Sequence, residues 1–81
     1  MKLEVLTPEK KYFSGEVTSV SVPGTIGSFS MLNDHAPIIS VLKKGKISYV
    51  HNEETTTLSI LNGVVEMNNN KITILIESIK E

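Results

Sequence analysis

The chain has no cysteine, no arginine and no tryptophan, and only two tyrosines and two phenylalanines among its 81 residues. Without cysteine there is neither a disulfide framework nor a thiolate metal site, which excludes the stapled secreted mini-protein and fits a reducing compartment. Without arginine there is no planar fork for bidentate capture of phosphate or carboxylate. Eight lysines against nine acidic residues give a formal net charge of −1, so the basic stripe of a nucleic-acid domain is missing as well. No apolar run approaches the roughly 18–20 residues of a membrane-spanning helix, and the opening MKLEVLTPEKK carries no signal-peptide core. With aromatics at 5%, the interior has to be filled by Val, Ile and Leu.

What is present is a small globular composition, 40% hydrophobic and 21% charged, which argues against disorder. A chain of this length makes one domain, residues 1–81, and buries only about 60–65% of the surface its unfolded form exposes. Its patterning is that of strands. Lys2 to Thr7 alternates polar and apolar and ends at Pro8; Lys11 to Phe13 is a short strand that Ser14-Gly15 turns. Glu16 to Val22 resumes with Val20 and Val22 on one face. Pro37 to Leu42 (PIISVL) is apolar with β-branched enrichment, as in a strand buried on both sides. Lys43-Lys44-Gly45 turns into an alternating run that puts Ile47 and Tyr49 together. His51 to Glu54 reads as a polar hairpin tip, with His51 a solvated turn residue. Thr55 to Leu61 follows, Asn62-Gly63 reads as a hairpin because both residues tolerate positive φ, Val64 to Met67 returns, and Asn68-Asn69-Asn70 forms the last tip. Lys71 to Ser78 closes the domain with Ile72, Ile74 and Ile76 on one face.

About ten short strands with frequent turns and no helix of useful length predict an all-β sandwich or small barrel. The predicted core is Leu3, Val5, Val20, Val22, Ile39, Val41, Ile47, Leu58, Ile60, Ile72 and Ile74.

One stretch is not sheet filler. Val22 to Gly45 holds three of the five glycines, two of the three prolines and one of the two histidines. Pro23-Gly24 suits a type II turn, with glycine accepting the positive φ. Between Gly27 and Pro37, the apolar Phe29, Met31 and Leu32 are crowded among Ser28, Ser30, Asn33 and Asp34, too apolar for a free linker and too irregular for a simple strand. Such a segment is held against something, and an apolar loop beside serines is a candidate protein contact.

Other chemistries fit less well. Asp34 and His35 with Ser28 or Ser30 have the residue types of a hydrolase triad, but neighbours in an extended segment point to opposite sides and no Gly-x-Ser-x-Gly elbow is present. His35 and His51 lie on different elements with no His-x-His or Cys pair, so no metal site is expected. Gly24 and Gly27 lack the following Lys-Ser/Thr and helix start of a phosphate loop, so no cofactor or nucleotide site is expected. Lys43-Lys44 and Lys71 lack the flanking residues of a biotinyl or lipoyl carrier hairpin.

The string VPG-x-x-G-x-F-x-x-L-x-x-HAP-I followed by L-K-x-G-K-I resembles the amino-terminal β-sandwich of the epsilon subunit of F-type ATP synthase, called delta in mitochondria. L-E-V-L-T-P-E-K-K-Y-F-S-G-E-V, N-G-V-V-E-M and N-K-I-T-I-L-I-E extend the resemblance over nearly the whole chain in order. It implies a two-sheet sandwich at the foot of the rotor, non-catalytic and without a cofactor of its own, on the cytoplasmic face of a bacterial inner membrane. The implied partners are the gamma subunit, through it the catalytic head, and the membrane c-ring of a proton- or sodium-translocating enzyme, with the membrane met only indirectly. The implied partner contacts are Ser28, Phe29, Ser30, Met31, Leu32, Asp34 and His35. The two-helix domain that follows the sandwich in the family has no counterpart before Glu81. The sequence also departs from the family where an acidic residue is usual at Ser28, Gly at Ser30, Pro-Gly at Asn33-Asp34 and Gly-Gly-Phe at Asn62-Gly63-Val64. A free-standing β-sandwich binding module and an enzyme built on His35 are the alternatives that the residues leave open.

Overall fold

The structure is a computed structural model and describes residues 1–79. Eight strands account for it: β1 Lys2–Leu6, β2 Lys11–Glu16, β3 Ser19–Pro23, β4 Ser28–Leu32, β5 Ile38–Leu42, β6 Gly45–His51, β7 Glu54–Asn68 and β8 Lys71–Ile79. They hydrogen-bond in the order β2-β1-β8-β7-β6-β3-β4, with β5 on β7. All pairings are antiparallel except β1 on β8.

The long strand β7 makes this sheet into two layers. Its first half, Glu54 to Ile60, pairs with β6; its second half, Gly63 to Met67, pairs with β5 on one side and β8 on the other. One layer is therefore β4-β3-β6 and the start of β7. The second is β5, the end of β7, β8, β1 and β2. Alternate residues of both layers meet between them: Leu3, Val5, Leu42, Val65, Met67, Ile72, Ile74 and Ile76 from one, and Val20, Val22, Met31, Ile47, Tyr49 and Ile60 from the other. No polar or charged side chain is buried among the described residues, so burial of aliphatic area, roughly 1.5–3 kcal/mol per large side chain, dominates the stability.

The strands number eight rather than about ten; one expected turn is absent and another is displaced along the chain. Asn62-Gly63 lies inside β7, where the β7–β8 register shifts on either side of Asn62. Gly63 is needed there for closeness, since a Cβ would fall 2.6 Å from the Leu75 carbonyl oxygen. A bulge of this kind adds twist and lets one strand pass from one layer to the other. Likewise β2 continues through Ser14-Gly15. Gly15 leaves room for the Phe13 and His51 rings, which a Cβ would meet at 3.1 and 3.2 Å.

Three further expectations change. Gly24 does not take a positive φ; the turn runs from Gly24 to Gly27 and is closed by the Gly27 N–H on the Gly24 carbonyl at 3.0 Å. The strand from Ile38 to Leu42 is buried on one side only: Leu42 is in the core, whereas Ile39 is 71% and Val41 58% exposed, because none of the described residues covers the outer face of their layer. Leu58 is only half-buried against the core. The hairpins at Asn52-Glu53 and Asn69-Asn70 form as expected, all four residues having positive φ.

Candidate functional site

The segment singled out in the sequence is more regular than expected. Ser28, Phe29, Ser30 and Met31 alternate with a period of two, and β4 pairs along its length with β3. Phe29 and Met31 point inward, Phe29 half-buried and Met31 fully buried. Met31 is therefore core and is removed from the surface to which the sequence reading assigned it. Ser28, Ser30 and Leu32 face out, and Leu32 is 60% exposed. The Ser30 hydroxyl lies 2.7 Å from that of Ser21 on β3.

At the end of β4 the chain reverses through Asn33-Asp34, closed by the His35 N–H on the Leu32 carbonyl at 3.1 Å. Asp34 has φ +64°, a region in which Asp and Asn are the most tolerated residues after glycine. Its N–H donates to Asn70 Oδ1 at 2.7 Å, and the Asn70 amide donates back to Asp34 Oδ1 at 3.0 Å. The reversal is thus bolted to the β7–β8 hairpin. Asp34, His35, Ala36, Pro37, Asn69 and Asn70 line a shallow depression of about 500 Å³ there.

These contacts fix the chemistry at His35. Its Nδ1 lies 2.7 Å from the Ala36 carbonyl, which only accepts, so Nδ1 carries the proton. The Asp34 carboxylate is held by Asn70 and Asn33 and does not orient the imidazole. Ser28 sits at the far end of β4, about 13 Å from Leu32 at 3.3 Å per residue. The structure therefore brings Leu32, Asp34 and His35 together with Asn70, but separates them from Ser28. Among the described residues no three His, Cys, Asp or Glu side chains come together.

His51 is not the solvated turn residue expected. Its Nδ1–H donates to the Glu16 carbonyl at 2.6 Å, and its ring stands edge-on to Phe13 at 5.3 Å, while Phe13 packs on Tyr49 at 4.5 Å. It ties the β6–β7 hairpin to β2.

The sequence reading missed Ile26. It stands at the tip of the β3–β4 turn, fully exposed, and that turn is joined to the β5–β6 turn by Thr25 N–H to the Val41 carbonyl at 3.1 Å and Lys43 N–H to the Pro23 carbonyl at 2.9 Å. The signal available was a β-branched apolar residue inside a Gly-bounded turn, where a polar one is ordinary.

The comparisons with known proteins can be set against this geometry. A sequence model of the ATP synthase delta/epsilon chain β-sandwich domain matches residues 1–81. The chain belongs to that family. It is 39% identical over 79 residues to the ATP synthase epsilon chain of Chlorobium limicola, covering 96% of this chain and 90% of the relative. To the epsilon chain of Geotalea daltonii it is 36% identical over 78 residues, covering 96% of this chain and 56% of the relative. A chain in the central stalk/c-ring structure of the Tetrahymena thermophila mitochondrial ATP synthase superposes with a TM-score of 0.83 over 99% of this chain and 65% of its own length, at 15% identity. At that identity the likeness is one of fold.

Proposed function

We propose that residues 1–81 are the β-sandwich unit of a rotor subunit of an F-type ATP synthase, joining the gamma subunit to the c-ring. The observation that carries this reading is the family match over residues 1–81, together with a 39%-identical epsilon chain matched over 90% of its length. The subunit makes and breaks no bond. It acts mechanically, holding gamma and ring in register so that torque passes between ion flow and the catalytic head. It works at the cytoplasmic face of a bacterial inner membrane, peripheral to the bilayer.

The build of the domain suits that task. A double layer with a close-packed aliphatic core deforms little under load, and the Asp34–Asn70 bolt ties an exposed corner to it at 2.7 and 3.0 Å. In this reading the c-ring loops meet the exposed edge of β4 and its corner, with Ser28, Ser30, Leu32, Asp34, His35 and the accessible part of Phe29 as contacts. Met31 supports that edge from behind. Asp34 supplies a carboxylate at that corner, at the opposite end of β4 from Ser28.

The test is reconstitution of the catalytic head and gamma onto c-ring vesicles with and without this chain. ATP-driven ion pumping should depend on it, and tagged chain should co-purify with gamma from native membranes. Pumping that is equally efficient without it, or the recovery of no gamma, overturns the reading and favours a free-standing binding module.

A further inference from the structure

The end of the sandwich that carries Ile26 is apolar at its point and basic around it. The β3–β4 and β5–β6 turns meet there, joined by the Thr25 and Lys43 N–H groups on the Val41 and Pro23 carbonyls. Gly45 lets the two turns close up, since a Cβ would lie 2.8 Å from Pro23 Cβ. Ile26 stands fully exposed at the tip. Leu61, one residue beyond the Ile60 that pairs with Gly45, is exposed beside the same turn.

The charge of this end is of one sign. Lys43, Lys44 and Lys46 are all exposed, and none of them forms an ion pair among the described residues. No acidic residue occurs between Glu16 and Asp34 or between Asp34 and Glu53, so both turns are free of carboxylates. The β7–β8 ladder brings Glu77 towards them, next to the Ser78 that pairs with Asn62, and it is bridged to none of the three lysines. The chain as a whole has a net charge of −1, so attraction to an anionic surface has to come from a local patch such as this.

A lipid surface fits this end better than a protein does. A specific protein interface takes about 800 Å² of each partner and seats its anchors in packed pockets, whereas here one side chain stands clear of two turns. A fluid interface closes round such a side chain without a prepared pocket. Apolar residues framed by lysine are the composition of surfaces that rest in the headgroup layer, where the aliphatic part enters and the ammonium groups meet phosphate. Lysine suits phosphates in no fixed arrangement, because its ammonium is a point charge on a flexible stem. The hydrogen bonds between the two turns already hold the backbone around Ile26, so little order is lost on docking.

We propose that this tip docks on an anionic phospholipid bilayer, with Ile26 entering the headgroup layer and Lys43, Lys44 and Lys46 meeting lipid phosphates. The contact adds to the indirect one made through the ring. Its test needs no other subunit, so its failure leaves the rotor reading intact. The purified chain is sedimented with vesicles of mixed phosphatidylglycerol and phosphatidylcholine, and with vesicles of phosphatidylcholine alone. It should bind the first, come off as salt is raised, and ignore the second. Each lysine at such a surface contributes about fivefold, so Lys43→Gln with Lys44→Gln should bind roughly 25-fold more weakly. Lys2→Gln with Lys71→Gln removes the same charge from the opposite end of the sheet, where Lys71 pairs with Lys2 and Asn68, and should bind like wild type. Ile26→Ser should weaken binding at every salt concentration and leave melting unchanged, as expected of an exposed residue. Equal losses in the two lysine pairs would assign binding to net charge and overturn the tip as its site. No binding to the anionic vesicles at low salt overturns the proposal outright. Phosphatidylcholine vesicles carrying the c-ring supply the last comparison: capture that needs the ring and is blind to lipid charge assigns the tip to a protein partner and overturns the proposal as well.

Discussion

Asp34 and Asn70 hold each other across the sandwich end, main-chain N–H to Oδ1 at 2.7 Å and side-chain amide to carboxylate at 3.0 Å, each from a backbone with positive φ. Asn70 therefore serves twice, as a residue that tolerates the left-handed region and as a partner. Replacing it by alanine removes two hydrogen bonds and adds backbone strain, together about 2 kcal/mol. Asn70→Gly removes the bonds but not the conformation and should lose about half of that. Urea denaturation of the two variants separates the effects; equal losses would assign the whole contribution to the hydrogen bonds.

Met31 and Leu32 are sequence neighbours with opposite surroundings, 0% and 60% exposed. Met31→Ala should cost about 2–5 kcal/mol through lost burial and a cavity. Leu32→Ala should stay within about 0.5 kcal/mol. Thermal melting of both checks the side of the sheet to which each belongs, and reversed magnitudes would mean that β4 is out of register by one residue.

That pair also marks what could be read in advance. The alternations through Leu3/Val5, Val20/Val22, Ile47/Tyr49 and Ile72/Ile74/Ile76 forecast their burial, since a two-residue period with one apolar face has one register that hides it. The same period was present at Ser28, Phe29, Ser30 and Met31 but was masked by Leu32 and Asn33, which continue it poorly. Asn62-Gly63 misled for a different reason. A hairpin and a bulge both ask for residues with little steric demand, and only the pairing partners distinguish them. At the candidate site, Asp34 and His35 were visible by residue type. Asn70 was not, because the contact spans 36 residues and depends on how two hairpin ends meet.

Gly63 and Gly24 both sit where a side chain would meet backbone. A Cβ on Gly63 would lie 2.6 Å from the Leu75 carbonyl, and one on Gly24 would lie 2.8 Å from the Gly27 carbonyl and 2.9 Å from the Phe29 ring. Backbone oxygens have little room to retreat, so Gly63→Ala should lose about 1–3 kcal/mol. Gly24→Ala meets a backbone oxygen and, in addition, the Phe29 ring, and should lose a comparable amount. Calorimetric melting measures both, and a Gly63→Ala variant as stable as wild type would contradict the bulge geometry.

Glu4 reports on the outer face of β1 through pH. Hydrogen bonds from Lys11 and then Lys71 hold its carboxyl below the ordinary carboxylate value, against a smaller opposing effect of burial. A group depressed on folding stabilises the protein while ionised. The contribution is therefore complete at neutral pH, begins to fade as pH falls to the unfolded glutamate value of about 4.3, and is gone once the lower folded value is passed. Lysines 56% and 53% exposed leave both bridges open to screening, so the effect should shrink as salt is raised. The measurement is stability against pH for wild type and Glu4→Gln in low and high salt. In low salt the two curves should be separated at pH 7 and converge below pH 4, and at high salt the separation should narrow. A constant gap at every pH would show that Glu4 acts through packing and not through its charge.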